Sequence, residues 1–146
     1  GLLGADDNIS RAEFAQILYN KEGRPAAGGG NGFTDVPSGA WYANAVTWAA
    51  ARGIAGGYGG GRFGPGDSIT CEQLAVMLWR YAGSPAATGT DPYFPGADKA
   101  GGYALAALRW AAEQGIIGGD GGILNPAGQA TRAEAAQMLK NFMEKR

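Results

Sequence analysis

The apolar residues of this chain fall into short helical stripes separated by glycine. Trp41, Ala45 and Trp48 stand at i, i+4 and i+7, and Tyr103, Ala107 and Trp110 repeat that spacing. The period predicts a helix at each place, with Trp48 and Trp110 facing a core. Each stripe runs into Gly then Ile, at Gly53-Ile54 and Gly115-Ile116. A glycine in the left-handed region, followed by an apolar residue that packs back on the last turn, ends a helix in this way. A second kind of stripe follows: Phe14, Ile17 and Leu18 on one helix face, and Leu74, Met77 and Leu78 on another. Its start is written three times, as Ser10-Arg-Ala-Glu13, Thr70-Cys-Glu-Gln73 and Thr131-Arg-Ala-Glu134. This is a capping box: Ser10, Thr70 and Thr131 take an N3 amide, and Glu13, Gln73 and Glu134 return to the cap amide.

The three boxes recur at intervals of about 60 residues, which marks an internal repeat. The unit is a first helix, a Gly loop and a second helix. Trp48 aligns with Trp110, Gly57 with Gly119, and Pro65 with Pro126. The predicted segments are 1–24 as the second half of repeat 1, 33–84 as repeat 2 and 93–146 as repeat 3. Repeat 1 lacks its first helix. A helix that cannot bury its apolar face alone leaves a bare seam. The reading therefore includes a domain-swapped or other homo-oligomer in which another chain covers that seam.

Charge and composition narrow the chemistry. The 146 residues carry a net charge of −1, which is poorly suited to neutralising phosphates and excludes a general nucleic-acid binder. There is no His, and the one Cys is Cys71. The usual general base, zinc cluster and internal disulfide are all missing. No run reaches the ~18 apolar residues of a membrane span, and the opening "GLLGADDNIS" carries no secretory leader. The expectation is a soluble chain, or a piece of a longer one, with no cofactor, no metal and no insertion into a membrane.

Three features remain as candidates for chemistry. Arg11 and Arg132 occupy the first helical position, beside amides that favour an anion, and a guanidinium there can hold a carboxylate in bidentate fashion. The bland alternative is a solvated arginine or a surface ion pair. Cys71 stands in the same place in the middle copy, so one of the three positions has lost its charge. "GGYGGGRFG" contains a GxGxxG match, but no βαβ unit surrounds it and no GKS or GKT follows. It reads better as a tight loop with backbone open to a ligand, and "GGDGGI" repeats it in the third copy. Carboxylates such as Asp6, Asp7 and Asp35 are scattered without the spacing of a catalytic pair. Cys71 lacks a His or second Cys, which argues against a catalytic thiol. Trp41 and Tyr103 share one repeat position and suit either sugar stacking or rim packing.

The run "FTDV…W…GI…GGYGGGRFGP…IT", residues 33–70, resembles the S-layer homology repeat. The second copy matches nearly from Phe33 to Gly83 and departs at "ITCEQ". The third keeps Thr131 to Glu134 but has "FPGAD" and Ile123 where the pattern has FxDV and Phe. The resemblance implies an all-α domain of helix–loop–helix repeats in a pseudo-threefold arrangement, here with the first repeat truncated. It implies an extracellular, cell-wall or S-layer location. It also implies a non-catalytic module that anchors a surface protein to secondary cell-wall polysaccharide, with pyruvylated N-acetylmannosamine as the ligand. The residues carried over as glycan contacts are Arg11, Arg132, Trp41, Gly57, Tyr58 and Gly59, with Gly119 and Asp120 in the third-copy loop. The middle copy's second helix, with Cys71 for Arg, is expected to serve a weak or unused site. The rival reading is a structural module for protein–protein association or S-layer assembly that binds no glycan. An enzyme is disfavoured by the missing His, carboxylate pair and Cys-His set.

Overall fold

The computed structural model describes residues 7–27, 32–86, 102–117 and 128–144. Among them lie five α-helices and no named strand: α1 (Arg11–Lys21), α2 (Ala43–Ala51), α3 (Cys71–Tyr81), α4 (Leu105–Glu113) and α5 (Arg132–Glu144). A 3₁₀ turn, Gly102–Ala104, leads into α4.

The capping residues start the second-type helices. The Ser10 hydroxyl accepts from the Glu13 amide at 3.0 Å, and the Glu13 carboxylate accepts from the Ser10 amide at 2.9 Å. The same reciprocal pair joins Thr70 to Gln73 and Thr131 to Glu134. The first-type helices stop where the Gly-Ile pairs stand. Gly53 adopts φ +70° and Gly115 φ +74°. Ile54 N–H then donates to Ala49 and Ile116 N–H to Ala111, each at 2.8 Å. Both isoleucines are buried, so each helix end is closed by that backbone bond together with an apolar side chain.

The chain forms two compact units, Ile9–Ser68, and Ile69–Arg146 with Gly1–Asn8. The boundary falls inside the second sequence repeat, between its Gly loop and its second helix. In the first unit, α1 packs on α2. Phe14, Leu18, Val46 and Phe63 are fully buried, and the Tyr19 ring lies 5.6 Å from Trp48. Each such side chain withdrawn from water stabilises the fold by roughly 1.5–3 kcal/mol. In the second unit, α3 packs on α4 and touches α5. Leu74, Leu78 and Leu108 fill that core, with the Phe142 ring 6.0 Å from both Tyr81 and Trp110. Every first-type helix present is therefore paired with the second-type helix that precedes it in the chain.

One register differs from the period count. Trp41 lies in the turn before α2, whose cap is Tyr42, and Tyr103 lies in the 3₁₀ turn before α4. Both side chains stay in solvent, at 65% and 56% exposure, whereas Trp48 and Trp110 are buried. The i, i+4, i+7 count ran one turn beyond the helix.

Candidate functional site: the arginine-centred glycine loop

The first unit is organised around the start of α1. The Ser10 box places Arg11 at the first helical position, where its side chain turns back under the loop of residues 56–64. Nη2 donates to the Gly56 carbonyl at 2.7 Å and Nε to the Phe63 carbonyl at 3.0 Å. The guanidinium carbon lies 4.7 Å from the ring centroids of both Tyr58 and Phe63, within cation–π range. Arg11 is only 6% exposed, while Tyr58 above it is 51% exposed. A buried charge is tolerable only with such partners.

The loop is clasped from a second direction. Asp35, of the "FTDV" run, accepts the amides of Phe63 and Gly64, each at 2.8 Å. The Phe63 amide bond is the main cause that holds the Asp35 carboxyl below its ordinary value, with Gly64 and the nearby Arg62 charge adding. Phe33 packs against Phe63 at 5.3 Å, and Thr34 N–H donates to the Gly61 carbonyl at 2.7 Å. The loop itself turns on Tyr58 N–H to the Arg62 carbonyl, 2.8 Å. Two glycines admit this closeness. A Cβ on Gly57 would sit 2.5 Å from the Arg62 carbonyl oxygen, and one on Gly64 would meet the Tyr58 ring and the Asp67 carboxylate.

The amides at the start of α1 are already partnered. Arg11 N–H donates to Asp67 O at 2.9 Å, Ala12 N–H to Pro65 O at 3.1 Å, and Glu13 N–H to the Ser10 hydroxyl. The Nε–Nη2 edge of Arg11 faces main-chain carbonyls. The bidentate carboxylate contact expected at that edge is occupied by the protein's own backbone, because the loop delivers two carbonyls to it.

Arg11, Gly57, Tyr58 and Gly59 are thus brought together. Trp41 belongs to the same compact unit, edge-on to Tyr42 at 5.1 Å. Arg132 belongs to the other unit. It is exposed, and its amide donates to Asp7 O at 2.8 Å. Gly119 and Asp120 lie outside the described residues. At the third helix start, Cys71 is buried, and burial, then the Glu134 charge, pushes its thiol up to about 11. The next residue, Glu72, accepts from the Tyr103 hydroxyl at 3.2 Å. Sequence reasoning missed the loop-holding parts of Asp35, Gly56 and Phe63. The "FxDV" spacing marks Asp35, but nothing local shows which amides it meets. Among the described residues no cluster of His, Cys, Asp and Glu suits a metal ion. None of the described helices is long and apolar enough to cross a membrane.

The paired helices and the clasped Gly loop stand beside what comparison with known proteins finds. The S-layer homology domain matches residues 32–75 and 97–136. The chain belongs to the S-layer homology family, a class of extracellular cell-surface modules. It is similar to an amylopullulanase of Thermoanaerobacterium thermosulfurigenes, 34% identical over 94% of this chain and 8% of that protein. It is similar to an S-layer protein of Bacillus licheniformis, 31% identical over 79% of this chain and 13% of the relative. A cellulosome-anchoring protein of Acetivibrio thermocellus is 26% identical over 99% of this chain and 34% of its own length. The chain therefore spans a minor part of each of these relatives.

Proposed function

We propose that this chain is a non-catalytic module that anchors a larger surface protein to the cell wall, by binding secondary wall polysaccharide bearing pyruvylated N-acetylmannosamine. The observation that carries the reading is the exposed ring of Tyr58 on a loop made rigid from below by Arg11 and from the side by Asp35. A flat aromatic face with a polar tip suits a sugar ring, and a preformed loop loses little entropy on binding. Around it, Gly59 and Gly60 have open space where a side chain would be, so sugar hydroxyls can approach the main chain. Trp41 offers a second exposed ring. In the other unit, the exposed Arg132 offers a guanidinium to a ketal carboxylate at a site of its own. Two relatives are enzymes by name, but the matched part is 8% and 13% of their length. An anchoring role beside separate catalytic domains accounts for that proportion. The names S-layer protein and cellulosome-anchoring protein support the same reading.

The burial of Arg11 among main-chain carbonyls favours a second reading, a structural module for association or S-layer assembly, because that arginine stabilises the fold whatever the loop binds. Calorimetric titration with a synthetic pyruvylated glycan separates the two. The anchor reading expects saturable heat that falls at least tenfold in affinity in Tyr58→Ala or Arg132→Ala. A folded chain with no heat, and no retention on purified wall, supports the structural module.

A further inference from the structure

The three second-type helices are copies, so their differences are informative. At the first and second helical positions, α1 has Arg11-Ala12 and α5 has Arg132-Ala133, while α3 has Cys71-Glu72. At the third position α1 and α5 carry Glu13 and Glu134, which turn back to cap their own helices. In α3 that task falls to the neutral Gln73. The acid has moved one residue forward, out of the capping box. There its carboxylate meets Tyr103, the repeat counterpart of Trp41.

We infer that Glu72 is a specificity-determining residue that turns an anionic saccharide away from the Tyr103 face, so that this copy takes neutral sugar or none. The inference rests on the anionic-glycan reading above. Compared with the start of α5, where Arg132 is exposed, position 71 lacks an attraction. Cys71 is buried and neutral, since its thiol is pushed up to about 11, so it neither attracts nor repels an anion at neutral pH. Glu72 adds a repulsion. Its carboxylate is tied by the Tyr103 hydroxyl beside a ring that is 56% exposed, the surface on which a sugar would stack. A ketal carboxylate brought to that ring meets a like charge, whereas a neutral sugar can donate its hydroxyls to the same carboxylate. A first-turn acid also suits the dipole of α3, but Glu13 and Glu134 meet that need from inside their boxes. The dipole accounts for the presence of an acid and leaves its placement against Tyr103 unexplained.

The test is calorimetric stoichiometry on the whole chain, with pyruvylated glycan and the same glycan lacking pyruvate, in wild type, Cys71→Arg, Glu72→Ala, Glu72→Gln and the Cys71→Arg/Glu72→Ala double variant. The expected result is stronger second-site binding of the pyruvylated glycan in every variant that lacks Glu72, the double variant included, and no gain in Cys71→Arg. Should arginine at position 71 prevent folding, the Glu72 variants carry the test. Each then strengthens second-site binding of the pyruvylated glycan by about threefold to tenfold, with no gain for the neutral glycan. A full extra site in Cys71→Arg alone overturns the inference, as does an equal gain for both glycans in the Glu72 variants. Wild type that binds neither glycan overturns the anchor reading and this inference with it. Wild type that binds while every Glu72 variant leaves stoichiometry and second-site affinity unchanged overturns this inference alone.

Discussion

The Arg11 guanidinium lies 4.7 Å from the centre of the Tyr58 ring, so the residue offered to solvent rests on a charge that is not. Nη2 and Nε hold carbonyls from both ends of the loop. Arg11→Ala would leave Gly56 O and Phe63 O without these donors and remove the support beneath Tyr58. The expected loss is about 2–4 kcal/mol. Arg132→Ala, at an exposed helix start, is expected to change stability by less than about 0.5 kcal/mol. Urea unfolding of both variants at pH 7 measures the contrast. Arg11→Lys should recover only part of the loss, because one ammonium cannot reproduce the planar fork. Equal, small effects at the two positions would remove the argument that Arg11 holds the loop.

Gly64 makes a second demand on the same loop. It sits at φ +74° with the Tyr58 ring and the Asp67 carboxylate where a Cβ would go. Gly64→Ala adds a collision to a backbone strain and should cost about 2–4 kcal/mol. Gly59, at φ +95° with nothing within 4 Å, isolates the strain. Gly59→Ala should cost about 1–2 kcal/mol. The two melting curves, taken together, report how much of the loss comes from contact. If Gly59→Ala were the worse variant, the packing of Tyr58 over Gly64 would be wrong.

What the sequence made legible was local. The capping boxes lie within four residues, and the Gly-Ile stops lie at the end of their own helices, so neither needs knowledge of the rest of the chain. The acceptors of Arg11 are 45 and 52 residues away, and a first-position arginine carries no mark of them. The anion site inferred from Arg11 and the helix amides was reasonable chemistry applied to groups that the loop had already claimed. The period puts Trp41 on the helix because a turn residue can fall in phase with it, whereas its place before the Tyr42 cap and its solvent exposure separate it from Trp48. The repeat is plain in the sequence, but the pairing of α1 with α2, across a repeat boundary, is a tertiary choice that periodicity does not contain.

Asp35 predicts a pH dependence with a definite sign. Its folded carboxyl ionises below the ordinary value of 3.8 because the Phe63 and Gly64 amides favour the charged form. Its contribution is complete above that ordinary value and is lost as pH falls through the lower, folded value. The urea midpoint of wild type should therefore exceed that of Asp35→Asn at pH 7, and the gap should narrow as pH falls below that ordinary value. A gap that persisted at the lowest pH would mean that Asp35 acts through packing and not through its charge.

Cys71 titrates in the opposite sense. Its thiol in the folded chain is pushed up to about 11, first by burial and then by the Glu134 carboxylate, against an ordinary value of 9.0. The unfolded thiol ionises first, so the stabilising effect is complete below pH 9.0 and fades as pH rises toward about 11. Relative to Cys71→Ala, wild type should lose stability across that window. Alkylation by iodoacetamide at pH 8 gives the direct measure, since the thiolate is the reacting form. The folded chain should react at least ~30-fold more slowly than the urea-unfolded chain, through the smaller thiolate fraction and the burial together. Equal rates in the two states would show an accessible, ordinary thiol, and would remove the burial of Cys71 at the start of α3.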